Sequence, residues 1–351
     1  MSRYLALLLG TFFLVFMLAA CSNANETTGS AASADTVQAA PQAPESDKAE
    51  SADAEKPAET ADAAPRVYQD LYGEVTIPAD PQRVLVTSSR YAEYLASMGE
   101  APDMVLYTSS VEPDYRTQYL KEQGIEMIEY PQYEHNFELL LSLAPDLIIA
   151  PGISVDEGTH EQMTKIAPTV ALDSTVEMEE SMPKLAQLFG KQSESEAELA
   201  AYHAKTAEAS RTLDAALGDK TVLVLRVEAK QYRYLGDDEQ RGGAIKLLYH
   251  ELGLNVPEAI AGAEDWFTPF SLEFLPEIDP DYILLEKRVV DGEDGTEFYD
   301  QLMKSSLWKG LRAVKEDHVI PVTTQDLVQG EGPIGYAHFT DNLVKQLTSL
   351  K

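Results

Sequence analysis

The feature that most limits the fold is an alternation of strand-like and helix-like segments that occurs twice along the chain. Over residues 66–176, apolar runs such as RVLVTSS and DLIIAPG alternate with amphipathic segments such as YAEYLASMG and FELLLSLAP. The alternation returns over residues 218–351, in KTVLVLRV, AIKLLYHELGL, DYILLEK and HVIPVTT. Because strands separated by helices usually run parallel in one sheet, the sequence predicts two α/β lobes with parallel sheets.

Between the two alternating regions, residues 177–217 carry little strand signal and are rich in Ala, Leu, Glu and Lys. Ser193 and Glu196 have the spacing of a capping box, which predicts a helix of about 24 residues and roughly 36 Å. We therefore expect two Rossmann-like lobes joined by one long α-helix. The ligand cleft would lie between the lobes, where loops at the carboxyl ends of strands face each other.

The first 21 residues have the pattern of an export signal. Arg3 precedes an apolar run from Tyr4 to Met17, which is shorter than the roughly 20 residues needed to span a membrane. The run ends in Leu18-Ala19-Ala20-Cys21, which resembles a bacterial lipobox, so residues 1–20 are predicted to be a signal peptide. The resemblance implies a diacylglycerol on the Cys21 thiol and an acyl chain such as palmitate on the new amino terminus, enough for stable anchoring. An uncleaved anchor with an incidental cysteine is the alternative.

Residues 22–65 consist almost entirely of small, polar and charged side chains. Such a segment cannot bury enough apolar surface to offset the entropy lost on ordering. We therefore predict a flexible acidic tether over residues 21–65, with a random-coil reach of about 35–40 Å. Together with the predicted lipid, it would hold the folded body at the extracytoplasmic face of a Gram-positive cell membrane.

Composition and motifs exclude several functions. The formal charge is −32, from 27 basic and 59 acidic residues, so long-range attraction to nucleic acid or to an anionic membrane surface is excluded. The body contains no G-x-S-x-G elbow, phosphate-binding loop or cysteine nucleophile, which leaves a lipid-anchored enzyme as a remote alternative. The histidines lack i, i+4 pairing, so no metal held directly by protein ligands is predicted.

A series of fragments from Val67 to Leu347 occurs in the order of a known family. They are DLYGEVTIPADPQRVLV, EYLASMGEAP, FELLLSLAPDLIIA, KIAPTV, VLRVEAKQYRYLGD, LLYHELGL, FSLEFLPEIDPDYILL and SSLWKGLRAVKEDHVIPV. Together they resemble the iron-siderophore and cobalamin family of ABC-transporter substrate-binding lipoproteins. The resemblance implies a non-enzymatic protein, expected to be a monomer without a cofactor. It would carry a ferric siderophore, which itself holds the iron, to an ABC permease and its ATPase.

The same resemblance implies two docking residues. In the family, one surface glutamate in each lobe contacts arginines of the permease, and the matching positions in this sequence are Glu93 and Glu273. Carboxylates at opposite ends of a rigid body can accept bidentate arginine contacts and so fix the docking orientation. The alternative is that each is an ordinary helix residue, with Ser271 as a helix cap beside Glu273.

Ligand contacts are expected on loops at the strand ends. In the first lobe these are Thr87–Tyr91, Tyr107–Tyr115, Tyr130–Asn136 and Pro151–Val155, and in the second Arg226–Arg241, Glu264–Phe270, Lys287–Val290 and Thr323–Tyr336. Guanidinium groups can bond to anionic oxygens and stack on rings, so the basic and aromatic residues in these loops favour an anionic ferric siderophore. The predicted ligand residues are Arg90, Tyr107, Tyr133, Arg226, Tyr232, Arg233, Tyr234, Arg241, Trp266, Lys287 and Arg288.

Two points remain open at this stage. The resemblance makes Arg226 the foremost ligand residue, because the family places a binding arginine after the strand that TVLVL matches, but an interlobe or C-terminal salt bridge is its alternative. A haem or corrinoid ligand is the alternative to a siderophore. Haem would need an axial ligand on a cleft loop, and Tyr107, Tyr133 or His135 has suitable chemistry.

Overall fold

The computed structural model of the chain describes residues 64–131, 135–290 and 293–350. The predicted signal peptide, Cys21, nearly all of the tether and Tyr133 lie outside the described residues. Within the described ranges, none of the helices combines the length and the apolar character needed to cross a membrane.

The first lobe is built on a five-stranded sheet in which every pairing is parallel, as predicted. The strand order is β5-β4-β3-β6-β7, and its middle strands are buried on both faces, which explains their continuous apolar sequences. The strands are β3 (Val84–Val86), β4 (Met104–Tyr107), β5 (Glu126–Glu129), β6 (Leu147–Pro151) and β7 (Thr169–Leu172). The helices are α1 (Ser89–Ser97), α2 (Asp114–Glu122), α3 (Phe137–Leu143) and α4 (Glu157–Thr164).

A separate hairpin precedes this sheet. It pairs β1 (Arg66–Gln69) with β2 (Glu74–Ile77) in antiparallel register. The Asp70 carboxylate forms its turn by accepting hydrogen bonds from the backbone N–H groups of Tyr72 and Gly73, at 2.8 and 2.9 Å. The other carboxylate oxygen accepts the N–H of Ala171 in β7, at 2.9 Å, so one buried side chain shapes the turn and ties the hairpin to the sheet.

Two helices connect the lobes, α5 (Met178–Phe189) and α6 (Gln192–Leu217). The long helix predicted from the sequence is confirmed, and its 26 residues span about 39 Å. The predicted capping box is wrong: the helix begins at Gln192, so Ser193 lies within the first turn, and no side chain caps this end. Buried residues spaced along one face of α6 pack against α5 and the last helix, α12 (Pro333–Ser349).

The second lobe contains a mixed sheet with the order β10-β9-β8-β11-β14. Strands β8, β11 and β14 are parallel, but β9 is antiparallel to β8, and β10 is antiparallel to β9. The expectation of a fully parallel sheet is wrong here because the connection between β8 and β9 is only residues 228–231, long enough for a hairpin and too short for a crossover. The strands of this sheet are β8 (Val222–Val227), β9 (Tyr232–Leu235), β10 (Phe267–Phe270), β11 (Tyr282–Lys287) and β14 (Val319–Val322). A separate antiparallel pair is formed by β12 (Val289–Val290) and β13 (Glu293–Asp294).

The helices of the second lobe are mostly short. They are α7 (Gly243–Ile245, continued as a π-helix over Lys246–Glu251), α8 (Leu275–Ile278), α9 (Thr296–Lys304), α10 (Ser306–Gly310) and α11 (Arg312–Lys315). Single 3₁₀ turns of this lobe cover Glu239–Arg241, Glu258–Ile260 and Leu272–Phe274, and a π-helical turn covers Gln325–Gln329. In the first lobe, a 3₁₀ turn covers Gly152–Ser154. Trp308, predicted to be a core residue, is 4% exposed and packs in the second lobe.

The apolar core explains how the lobes are held together. One continuous cluster runs from the first sheet through α1, α5, α6 and α12 to the second sheet, and each sheet has a further cluster on its other face. The two-lobed α/β fold predicted from the sequence is confirmed. The carboxyl ends of β3, β4 and β6 and those of β8 and β11 supply the loops from which a site between the lobes can be built.

Candidate ligand-binding site

A cavity of about 380 Å³ lies at the carboxyl edge of the first sheet. All four first-lobe loops predicted to face a ligand contribute to its wall. Parallel strands end at the same edge, so loops that are far apart in the sequence meet there. The residues they supply include Ser89 and Arg90, Tyr107 and Thr108, Tyr130 and His135, and Ile153 and Val155.

The second lobe closes one side of this cavity. Val328, Gln329 and Glu331, from the segment between β14 and α12, line the wall. Nearby, the side-chain amide of Gln325 donates a hydrogen bond to the carbonyl of Ser110 in the first lobe, at 3.2 Å. The cavity therefore lies between the two lobes, although the first lobe supplies most of its surface.

An ion pair joins the lobes at the cavity wall. A guanidinium N–H of Arg90 donates to a carboxylate oxygen of Glu331, and the Tyr94 hydroxyl donates to the other oxygen at 3.3 Å. The side chains of Arg90 and Glu331 are 25% and 15% exposed, so the pair is accessible from the cavity. Burial alone would lower the pKa of Arg90, but the Glu331 carboxylate, together with Tyr94 and Tyr91, raises it above its ordinary value.

A second arginine lies deeper in the same wall. The Nε of Arg116 donates to Oε2 of Glu93 at 2.5 Å, and its Nη1 is 3.5 Å from Oε1 of Glu112. The other oxygen of Glu112 accepts the Ser89 hydroxyl at 2.5 Å. Burial raises the pKa of Glu112, and Arg116 partly opposes this. Among the described residues, the charged ones that line this cavity are Arg90, Arg116, Glu112 and Glu331, and they balance in formal charge.

Glu93 is not on the surface, which corrects the expectation that it presents a carboxylate to a partner. Its side chain is fully buried, and besides Arg116 it accepts the backbone N–H groups of Ile334 and Gly335, at 2.9 and 3.2 Å. These groups form the first turn of α12, where free N–H groups favour a carboxylate. Gly332, at φ 144°, leaves room for it, because a Cβ at that position would overlap the carboxylate.

A second cavity, of about 630 Å³, lies at the carboxyl edge of the second sheet. Its wall includes Lys287 at the end of β11 and the loop after β14, from Thr323 to Gln325. The ammonium group of Lys287 is 5.6 Å from the ring centroid of Tyr299. Ser110 of the first lobe also lines this cavity, while the adjacent Val111 lines the first cavity. The two cavities therefore adjoin at this loop.

Arg226 lines neither cavity. Its Nε donates to Glu286 on the neighbouring strand at 2.6 Å, and its guanidinium carbon lies 3.5 Å from the ring centroid of Phe267. Glu286 in turn accepts the Thr324 hydroxyl at 2.5 Å. The Nη2 of Arg226 is buried and has no hydrogen-bond partner among the described residues. This salt bridge lies within the second lobe and does not join the two lobes, and ligand contact by Arg226 stays a prediction.

Strand alternation separates the three predicted residues of β9. Tyr232 and Tyr234 both pack on Phe270 in the second-lobe core, and the Tyr232 hydroxyl donates to the carbonyl of Phe298 at 2.8 Å. Arg233 instead donates to the carbonyl of Phe267 from its Nε, at 2.9 Å. These residues lie at the β8–β9–β10 edge, away from both cavity walls, and their ligand roles stay predictions.

The remaining predicted residues lie at the surface of the second lobe or close to it. Trp266 is 39% exposed, with its ring centroid 5.8 Å from the guanidinium carbon of Arg226. Arg241 is exposed and donates to the carbonyl of Glu264 at 2.8 Å. The backbone N–H of Arg288 donates to the carbonyl of Val227 at 2.9 Å. The structure thus brings Arg90 and Tyr107 together in one cavity and leaves all of the predicted second-lobe residues outside it, with Lys287 in the second cavity.

Comparison with known proteins decides the family. The family model described as "Periplasmic binding protein" matches residues 84–325. The chain belongs to the periplasmic binding protein family. It is 31% identical over 338 residues to the iron(3+)-hydroxamate-binding protein FhuD of Bacillus subtilis, covering 93% of this chain and 90% of that protein. It is also 27% identical to the iron-uptake system-binding protein of the same organism, covering 99% of each.

Solved structures agree with this assignment. A FhuD fold-family periplasmic binding protein component of a Fep/Fec-like ferrichrome ABC transporter from Bacillus subtilis is 28% identical, with a TM-score of 0.66, over 81% of this chain and 100% of that chain. Staphylococcus aureus SirA complexed with staphyloferrin B shares the fold at 22% identity and a TM-score of 0.65, over 80% and 98%. The resemblance stated from the sequence is confirmed, and the family binds substrates for transport rather than transforming them.

Two glutamates of this binding protein, Glu138 and Glu273, lie in matching segments of the two lobes, and the sequence patterns above did not identify this match. In the first lobe, the segment Asn136-Phe137-Glu138 is followed by Asp146, which directly precedes β6. In the second lobe, the segment Ser271-Leu272-Glu273 is followed at the same spacing by Asp281, which directly precedes β11. Asp146 accepts the backbone N–H of Gln82 at 2.7 Å, and Asp281 accepts that of Thr221 at 2.9 Å, in each case just before the neighbouring strand. The segments are therefore structurally equivalent.

Glu138 and Glu273 occupy the equivalent position in the two segments. Both are exposed, at the start of α3 and in the 3₁₀ turn Leu272–Phe274. Hydrogen bonds from its own backbone N–H and from Ser271 lower the pKa of Glu273. Aligning FELLLSLAPDLIIA with FSLEFLPEIDPDYILL would have identified Glu138 from the sequence alone.

A further cluster of titratable groups lies outside the cavities. Ligand atoms of Glu179, His203 and Glu251, from three separate segments, lie within 4.8 Å of one another. The ammonium group of Lys246 contacts both carboxylates, and the Tyr202 hydroxyl donates to Glu251. An internal cation thus already balances part of the negative charge of this cluster. Sequence spacing could not reveal it, because no two of its acidic and histidine members share a helical segment.

Proposed function

We propose that this chain is the substrate-binding protein of an ABC importer, which captures a ferric siderophore and delivers it to a membrane permease and its ATPase. The observation that carries the proposal is the cavity at the carboxyl edge of the first sheet, closed by residues 328–331 of the second lobe. Its volume lies within the roughly 300–1,000 Å³ typical of small-molecule sites. The siderophore is the ligand and brings its own iron, and the protein acts as a monomer.

We infer that the siderophore is a hydroxamate with little net charge. Two of the basic residues that favoured an anionic complex are paired, Arg90 with Glu331 and Arg226 with Glu286. In the cavity wall, Arg116 also pairs with Glu93 and Glu112. A wall with balanced charges gives no net attraction for a strongly anionic chelate. The similarity to an iron(3+)-hydroxamate-binding protein supports the same class. The anionic complex stays the competing prediction.

A fluorescence titration tests both levels of the proposal. Trp266 and Trp308 are the two tryptophans, and Trp266 is partly exposed, so a bound iron chelate would quench emission. We expect ferrichrome, an uncharged hydroxamate, to bind at least about tenfold more tightly than ferric citrate or a ferric catecholate. Tighter binding of either anionic chelate would overturn the hydroxamate class. Binding of none of these iron chelates would overturn the function.

Haem is the second candidate ligand, because one observation favours it. Tyr107 and His135 both line the first cavity, and either side chain is a suitable axial ligand for haem iron. The same titration with haem and with cobalamin separates this candidate. A sharp Soret band that is lost in Tyr107→Phe or His135→Ala would support haem, whereas a broad charge-transfer absorption supports a ferric siderophore.

We propose that Cys21 carries the lipid that holds the protein at the extracytoplasmic face of a Gram-positive cell membrane. The lipobox-like sequence before it supports the proposal, and the relatives include a probable siderophore-binding lipoprotein of Bacillus subtilis. Replacement of Cys21 by Ala should leave the protein unacylated and shift it out of the membrane fraction. Unchanged membrane retention of Cys21→Ala would contradict lipidation.

We propose that Glu138 and Glu273, rather than Glu93, dock the binding protein onto the permease. Both are exposed and occupy equivalent positions in the two lobes, so each can accept a bidentate arginine contact. Glu93 would have to leave Arg116 and two backbone N–H groups to do the same. Uptake of ferrichrome by cells that carry Glu138→Lys/Glu273→Lys tests this proposal.

A further inference from the structure

The ion pair between Arg90 and Glu331 has no assigned role in the proposed function. It is the contact through which a carboxylate of the second lobe reaches a guanidinium of the first lobe at the wall of the ligand cavity. Both side chains are partly accessible, in contrast to Arg116, whose side chain is 2% exposed. A ligand entering the cavity therefore meets Arg90 with a carboxylate already bound to it.

The surroundings hold Glu331 in place for this contact. The Tyr94 hydroxyl donates to its Oε1 at 3.3 Å, and Arg116 Nη2 donates to its backbone carbonyl at 2.9 Å. Arg90 is held in turn by its position in the first turn of α1, with its guanidinium carbon 5.8 Å from the Tyr91 ring centroid. Because both side chains are held in place, an incoming anion can bind Arg90 only if it displaces Glu331 or lies beside the Glu331 carboxylate, which repels it.

We propose that Glu331 determines the charge of the ligand that this cavity accepts. Its carboxylate occupies the position that an anionic chelate would take on Arg90, so it disfavours ferric carboxylates and leaves uncharged ferric hydroxamates unaffected. The proposal rests on the proposed function, since it assumes that a ferric chelate binds in this cavity. It adds the residue that selects among such chelates.

The test compares Glu331→Gln with a matched control, Glu258→Gln. Both changes remove one negative charge from the second lobe, but Glu258 is exposed in a 3₁₀ turn and lines neither cavity. Glutamine keeps the shape of residue 331 and can still accept hydrogen bonds from Tyr94 and Arg90. The probes are ferric citrate, which is anionic, and ferrichrome, which is uncharged. Glu331→Ala, which keeps the backbone carbonyl, is the second variant.

We expect Glu331→Gln and Glu331→Ala to bind ferric citrate at least about tenfold more tightly than the wild type does, and the ratio of ferric citrate affinity to ferrichrome affinity to rise by at least a similar factor. The control should change neither affinity by more than about twofold. In the double variant Arg90→Gln/Glu331→Gln, the gain for ferric citrate should disappear, because the released guanidinium is no longer there.

Three results would overturn the inference: no gain for ferric citrate at position 331, an equal gain in the Glu258 control, or a gain that persists without Arg90. Ferrichrome binding to the wild type tests the hydroxamate ligand class separately. If ferrichrome fails to bind while ferric citrate binding rises in Glu331→Gln, charge selection stands and the hydroxamate class falls. If no variant binds either chelate, both are overturned.

Discussion

The two lobes share a plan, and they use it differently. In each, the central strand pair, β3–β6 or β8–β11, is joined at its start by an aspartate, Asp146 or Asp281, that accepts backbone N–H groups of the neighbouring strand. The first lobe continues with parallel strands on both sides and has an open carboxyl edge where most of the ligand cavity forms. The second lobe replaces one flank by an antiparallel ribbon.

The difference follows from the length of one connection. Residues 228–231 allow only a hairpin after β8, so β9 and β10 fold back beside the end of β8. Phe267 of β10 then covers Arg226, which pairs with Glu286. An arginine at the end of a central strand therefore becomes part of a packed platform in the second lobe. The first lobe keeps Arg90 at the cavity.

The largest effect is expected from breaking the buried ion pair of either lobe. Arg116→Ala leaves Glu93 and Glu112 buried without their cation, and Arg226→Ala leaves Glu286 in the same state. Each change should lower the free energy of unfolding by about 3–5 kcal/mol, measured by urea denaturation. Arg211→Ala, on the exposed face of α6, is the control and should stay within about 0.5 kcal/mol. A loss below about 1 kcal/mol at either buried site would contradict the account.

The equivalence of the lobes predicts matched losses at the two aspartates. Asp146→Ala and Asp281→Ala each remove the acceptor for backbone N–H groups at the start of a central strand. Each should cost about 1–3 kcal/mol of unfolding free energy, because hydrogen bonds to a charged acceptor are worth more than neutral ones. The measurement is again urea denaturation. A normal stability in one variant and a large loss in the other would break the equivalence.

The same equivalence predicts the docking residues. The double variant Glu138→Lys/Glu273→Lys should bind ferrichrome within about twofold of the wild type, yet lower its uptake by cells at least about tenfold. Glu258→Lys reverses an exposed charge elsewhere on the second lobe and should transport normally. Normal uptake with the double variant would end the docking assignment.

The smallest effect concerns Glu112, in the first-lobe cavity wall. Burial raises its pKa above the usual 4.5, with Arg116 opposing, so the folded state binds its proton more readily than the unfolded state does. This group therefore adds stability as the pH falls from above the raised pKa to below 4.5. Glu112→Gln should remove that part of the pH dependence, seen as the difference from wild type in unfolding free energies from pH 4 to 7. Parallel curves for the two proteins would contradict the shift.

The sequence predicted the features that depend on local pattern. The alternation of apolar strands and amphipathic helices was sufficient for two α/β lobes and for the long helix α6. It also identified the loops at Thr87–Tyr91 and Tyr107–Tyr115 that line the cavity, because strand ends determine where such loops lie. The antiparallel turn after β8 was missed, although the shortness of residues 228–231 was visible in the sequence.

The sequence could not predict contacts between distant segments. Glu93 lies in a helical pattern that gives no sign of α12, whose first turn buries it. Arg226 and Glu286 meet through the register of two strands, and Arg90 and Glu331 meet only when the lobes come together. The basic side chains in the predicted loops therefore suggested an anionic ligand, whereas the pairing of Arg90 with Glu331 is the reason that we propose an uncharged one.

We propose that the ligand iron lies between the lobes, at the carboxyl edge of the first sheet. Anomalous diffraction at the iron absorption edge, from crystals of the ferrichrome complex, locates that atom directly. We expect one iron peak, in the cavity lined by Arg90, Tyr107 and Glu331. A peak only in the second cavity beside Lys287, or on the outer surface, would contradict it.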